Sequence, residues 1–149
     1  MHYVPKSPRP QVSFLTLVGT DIFVGVSKGN ILSGEMIEGM NSAPFIFAMA
    51  NPTPEIMPDL AYRAGASIVG TGRSDLHNQV NNALVFPGLF KGLLSTGITK
   101  ITPDLKLAVA KAIAYSIEPT KEKLMPTTFN KNVVKSIVAV FSELKQQKE

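Results

Sequence analysis

Phe45-Ile46-Phe47-Ala48-Met49-Ala50 runs without interruption into Asn51-Pro52-Thr53-Pro54-Glu55. Six apolar residues with no in/out alternation, stopped by a turn of Asn and Pro, read as a strand buried on both faces. Ile22-Phe23-Val24-Gly25-Val26 before it and Ser67-Ile68-Val69-Gly70 after it read the same way. Helical segments separate the three runs. In the first, Ser33 is placed to cap, Glu35 lies in the first turn, and Met36, Ile37 and Met40 share a face. The second begins near Pro58-Asp59, puts Leu60, Ala61 and Ala64 on one face, and stops at Gly65. Strand, helix, strand, helix, strand is the pattern of a parallel sheet with right-handed crossovers, so the expected class is α/β.

Working outward, the character changes after the third run. Residues 72–82 are polar and rich in amides, and residues 83–94 are apolar around a break at Pro87-Gly88. Thr102-Pro103-Asp104 supplies a cap, a first-turn proline and an acid that favours the helix dipole. The helix that follows, residues 105–116, is apolar almost all round and is expected to be packed on most sides. Asn130 caps a last helix whose Val133, Val134, Ile137, Val138, Phe141 and Leu144 form one stripe. At the other end, three prolines within residues 5–10 read as an extended or disordered lead-in, giving expected boundaries of 1–19 for the lead-in and 20–149 for the folded segment.

Composition narrows the function classes. The chain has 149 residues, 44% hydrophobic and 17% charged, with no Cys. That charge content is below the usual ~25% and excludes wholesale disorder. Without Cys there is no disulfide framework, thiolate zinc site or cysteine nucleophile. The net charge of +4 is carried by the ends, since residues 11–120 hold seven basic and eight acidic side chains. A nucleic-acid binder concentrates its basic residues on the working face, so nucleic acid is not expected as a partner. Every apolar run falls short of the ~20 residues of a membrane span. A cytoplasmic location is expected, with an organelle such as the mitochondrion as the alternative, because no acid precedes Asp21.

Open parallel sheets take ligands beyond the carboxyl ends of their strands, so the turns after the three runs are where chemistry is expected. They read Gly25-Val26-Ser27-Lys28-Gly29-Asn30, Asn51-Pro52-Thr53-Pro54-Glu55 and Thr71-Gly72-Arg73-Ser74-Asp75. Small and hydrogen-bonding residues suit a ligand there, and they equally suit a βα turn for backbone reasons. Gly70-Thr71-Gly72-Arg73-Ser74-Asp75 imitates a dinucleotide fingerprint but has Asp75 where the third glycine belongs, so it is not read as a phosphate loop. Asn78-Gln79-Val80-Asn81-Asn82 is the most unusual stretch: a cluster of amides needs many partners, a polar ligand, or solvent at a helix end or Asx turn. His77 has no carboxylate at a fixed spacing and reads as a surface or packing residue. Met36, Met40, Met49 and Met57 read as core filler.

Taken together, Phe45 through Glu55, Gly70-Thr71-Gly72-Arg73-Ser74-Asp75, Asn78-Gln79-Val80-Asn81-Asn82 and Phe86-Pro87-Gly88 resemble the malic enzymes, most closely the bacterial type. The likeness runs from about Thr20 to the last helix. It implies the C-terminal half of a Rossmann-like NAD(P)-binding domain followed by C-terminal helices. The family converts L-malate to pyruvate and CO2 with NAD or NADP and with Mg or Mn. By resemblance, Gly25, Val26, Ser27 and Asn51 bind the cofactor, Asn51 at its nicotinamide end, while Asn81 and Asn82 reach malate and the nicotinamide region. The family's phosphate loop, ribose-reading acid, metal carboxylates and Tyr/Lys acid–base pair lie in an upstream region that these residues do not match. His77 stands where many relatives have proline. The resemblance therefore implies no catalytic residue and no metal ligand here, a missing N-terminal half or split subunit as partner, a homo-oligomer when complete, and inactivity alone. The alternatives are a non-catalytic relic with a binding or assembly role, and a different α/β dehydrogenase.

Overall fold

The computed structural model describes residues 14–128 and 130–146, and the chain divides into two compact units, residues 1–73 and 74–149. The proline-rich stretch at residues 5–10 lies outside the described residues.

In the first unit a helical turn, α1 (Phe14–Leu17), precedes β1 (Ile22–Gly25), α2 (Gly34–Glu38), β2 (Phe45–Ala48), α3 (Pro58–Arg63) and β3 (Ile68–Thr71). The lead-in expected to stay extended through residue 19 is thus helical at 14–17, where Leu17 is buried. The strands form one parallel sheet in the order β1-β2-β3, with Phe23 opposite Ile46 and Ile46 opposite Val69. Both connections follow their sequence signals. Ser33 accepts a hydrogen bond from the Met36 N–H at 3.3 Å, and Pro58 opens α3, which closes at Gly65 with φ +96°. Leu17, Ile37, Met40 and Ala61 gather on the Phe23–Ile46–Val69 face as one apolar core. Ile46, at its centre, is fully buried and contributes about 1.5–3 kcal/mol.

The expectation that all three strands are buried on both faces holds for β3, where Val69, Gly70 and Thr71 are all buried, and is corrected for β1 and the start of β2. β1 alternates, with Ile22 53% and Val24 62% exposed, and Phe45 begins β2 at 38%. The physical reason is that the buried core gathers on the Phe23–Ile46 face, so among the described residues the Ile22 and Val24 side chains of β1 have no packed layer over them. β1 also pairs on one edge only among the described residues.

The second unit comprises a short 3-10 turn (Asn82–Leu84), α4 (Phe86–Thr96), α5 (Pro103–Ala114) and α6 (Lys131–Gln146). The stripe on α6 is as expected: Val133, Ile137 and Phe141 are buried. α4 reaches it through glycines. A Cβ at Gly88 would stand 2.8 Å from Ile137 Cβ, and one at Gly92 would overlap the Phe141 ring. Pro87-Gly88 is therefore not a break; Pro87 lies in the first turn of α4, where its missing N–H costs nothing. α5 also differs from expectation. Leu105 and Val109 are buried, but Leu107 is 57% exposed, because the helix packs against the core along a single stripe. Thr102 caps it, accepting from the Leu105 N–H at 3.2 Å, and Asn130 accepts from the Asn132 N–H at 2.9 Å at the start of α6.

Candidate functional site

The carboxyl ends of β1 and β2 are held together by a set of bonds that the turn sequences make possible. The Met49 N–H donates to the Gly25 carbonyl at 2.9 Å, the Asn30 N–H to the Pro54 carbonyl at 3.0 Å and the Leu32 N–H to the Glu55 carbonyl at 3.0 Å. The two turns approach so closely that a Cβ at Gly29 would stand 2.6 Å from the Thr53 carbonyl oxygen. At the centre lies Glu55, a fully buried carboxylate. Its Oε1 accepts from the Ser27 N–H at 3.0 Å and its Oε2 from the Ala50 N–H at 2.9 Å. Gly25 is small for this carboxylate: a Cβ there would stand 2.5 Å from Glu55 Cδ. Among the described residues no ion pair reaches Glu55, so its charge is met by backbone N–H dipoles alone.

Of the residues expected to bind cofactor, Gly25, Val26, Ser27 and Asn51 are thus brought to one end of one sheet. Gly25 is buried, while Val26, Ser27 and Asn51 are exposed. Among the described residues the Asn51 amide makes no hydrogen bond, leaving both N–H donors and the carbonyl for a ligand. The residue that sequence reasoning missed is Glu55. Its signal was an acid flanked by Pro54 and Ile56, a charge in a setting that predicts burial.

Asn81 and Asn82 belong to the second unit. Asn81 is the cap of the 3-10 turn, where its Oδ1 accepts from the Ala83 N–H at 2.9 Å and its NH2 stays free of that bond. Asn82 is exposed, and its amide makes no hydrogen bond among the described residues. Asn78, 8% exposed with φ +54°, spends its amide on the loop at residues 121–124: Nδ2 donates to the Lys121 carbonyl at 2.8 Å and Oδ1 accepts from the Leu124 N–H at 3.0 Å. Of the three asparagines in the amide cluster, Asn78 and Asn81 therefore shape the backbone and Asn82 does not. A cavity of about 690 Å³ is lined in this unit by His77, Asn78, Asn81, Lys123 and Thr127 among others. His77 is exposed. No group of three or more His, Asp or Glu side chains among the described residues could hold a metal ion.

The model of the malic enzyme NAD binding domain matches residues 11–142. The chain belongs to the malic enzyme family. It is 48% identical over 124 residues to the bifunctional malic/malolactic enzyme of Bacillus subtilis, covering 81% of this chain and 30% of that protein. It is 50% identical over 112 residues to the NADP-dependent malic enzyme of Escherichia coli, covering 74% of this chain and 15% of that one. Among solved structures, the NAD-dependent malic enzyme of Thermotoga maritima matches with a TM-score of 0.82 and 48% identity, over 86% of this chain and 34% of that chain. The chain thus spans between about a seventh and a third of the malic enzymes named here. Its partial Rossmann-like sheet and following helices have the fold of the corresponding stretch in that structure. No helix among the described residues is long and apolar enough to cross a membrane.

Proposed function

We propose that these residues form the NAD(P)-binding segment of a malic enzyme and take part in the oxidative decarboxylation of L-malate to pyruvate and CO2 together with an N-terminal portion of the kind the relatives possess. The observation that carries the reading is the shelf at the carboxyl ends of β1 and β2, where Ser27 and the unengaged amide of Asn51 stand exposed over the bonds that fix both turns. In this reading Gly25, Val26, Ser27 and Asn51 hold the cofactor, and Asn81 and Asn82 hold malate. When bound, the nicotinamide supplies a hydride acceptor for the carbinol carbon of malate. The residues of this chain bind and orient: neutral amides hold a carboxamide or a carboxylate without fixing a charge beside the hydride path. The divalent metal and the acid–base pair come from the N-terminal portion, so the chain alone is inactive. NAD and NADP both suit the segment, and a homo-oligomer in the cytoplasm is the proposed setting.

The test joins this chain to the N-terminal portion of the Bacillus subtilis relative and follows malate-dependent formation of NADH and NADPH with Mg or Mn. Turnover by the joined protein and none by the 149-residue chain is expected. Turnover by the chain alone contradicts the division of labour, and a folded joined protein without turnover contradicts the function.

A further inference from the structure

Backbone N–H groups left unpaired at helix N-termini and in turns are ready donors to a ligand's phosphate or carboxylate. In this chain the Ser27 and Ala50 N–H groups face inward onto one side chain from 28 and 5 residues away, respectively. That side chain is fully buried, and its own backbone is tied down by the Leu32 N–H. Gly25 leaves room for its carboxylate, where any other residue would put a Cβ 2.5 Å away. A carboxylate so placed meets both donors with acceptors, one oxygen each, which neither an amide nor a hydroxyl does in that geometry.

We infer that Glu55 is a positioning residue: its carboxylate is a built-in anion that pins the turns carrying Ser27 and Asn51 at a fixed separation and withholds the Ser27 and Ala50 N–H donors from a ligand's phosphate. The inference rests on the reading of Ser27 and Asn51 as cofactor contacts and goes beyond it by naming the residue that holds those contacts in place. With both donors spent on Glu55, neither is open to a ligand's phosphate. Charge-assisted bonds of this kind hold a backbone more firmly than neutral ones, which is what a pair of turns bearing ligand contacts requires.

The test is residue-resolved amide hydrogen exchange on the full 149-residue chain as wild type, Glu55→Ala and Glu55→Gln, with sodium formate, sodium pyrophosphate or sodium chloride added. In the wild type the Ser27 and Ala50 amides exchange slowly. In Glu55→Ala they speed up by about tenfold to a hundredfold relative to Ile46, the loss expected for bonds to an ionised acceptor. Formate then slows them again and pyrophosphate shifts their resonances, while chloride does neither. Glu55→Gln fills the space but offers one acceptor for two donors, so at least one of the two amides still speeds up and formate has no effect. Uniform acceleration throughout residues 22–71 in Glu55→Ala, with no recovery in formate, overturns the inference in favour of an ordinary folding role. Should Glu55→Ala fail to fold, Ser27 and Ala50 amides that both stay slow in Glu55→Gln overturn it as well. None of these readouts uses nucleotide. Failure of the cofactor reading shows separately, as wild-type Ser27 and Asn51 resonances that NADH leaves unmoved.

Discussion

Replacing Gly25 with Ala drives a methyl group into the one place where the strand-end frame has no slack. The new Cβ would stand 2.5 Å from Glu55 Cδ and Oε1 and 2.7 Å from Phe23 Cε1. Contacts that short force something to move. A flexible acid at the surface would swing aside at little cost, but Glu55 is fully buried and bonded through both oxygens. Overpacking alone costs about 1–3 kcal/mol. Displacing the carboxylate gives up bonds worth about 1.5–3 kcal/mol each when the acceptor is ionised. The cheaper mixture of the two puts the loss at about 2–4 kcal/mol, all of it in the first unit. Hydrogen exchange under mild urea reads this unit by unit, with the Ile137 amide of the second unit as the internal reference. The double variant Gly25→Ala/Glu55→Ala supplies the control: the vacated carboxylate space accepts the methyl, so the two losses are non-additive by at least about 1 kcal/mol. A cost below about 0.5 kcal/mol for Gly25→Ala, within the range of an uneventful surface change, refutes the reasoning, as does strict additivity in the double variant.

Other expected outcomes follow from the packing. Gly92→Ala puts a methyl into the Phe141 ring and lowers the stability of the second unit by about 1–3 kcal/mol, and Phe141→Leu in the same chain recovers part of the loss, both read by urea denaturation. Ile22 and Val24 lie exposed on β1, a strand edge that is open among the described residues, so the chain self-associates as concentration rises; Ile22→Lys with Val24→Lys shifts the sedimentation profile toward monomer, and an unchanged profile contradicts this. Thr102→Ala removes the bond to the Leu105 N–H and costs about 0.5–2 kcal/mol in α5, seen as a lower thermal midpoint.

The parallel sheet was legible because its three apolar runs are separated by helices with local stop and start signals, Ser33, Pro58 and Gly65, that act over three or four residues. The α6 stripe was legible for the same reason, its period being written in one helix. What covers a strand is not written in the strand. Ile22 and Val24 are as apolar as Phe23, and only the placing of α2 and α3 decides which face is packed. Pro87-Gly88 reads as a break by local rules, and becomes the close approach of α4 to α6 only once Ile137, 49 residues on, stands against Gly88. In the candidate site, Ser27 and Asn51 could be singled out from their turns, but Glu55 acquires its role from an N–H group 28 residues away. The amide run gave no means of telling Asn78, which braces residues 121–124, from Asn82, whose amide is unengaged among the described residues.

The most direct measurement is kcat/KM for malate in the joined enzyme carrying Asn51→Ala or Asn82→Ala, taken beside the thermal midpoint of each variant. Losing hydrogen bonds to a charged or strongly polar ligand is expected to lower kcat/KM by about tenfold to a hundredfold with little change in midpoint, since neither amide is bonded within the described residues. Unchanged kcat/KM with a depressed midpoint in both variants would make these asparagines turn-shaping residues and contradict the cofactor and malate site.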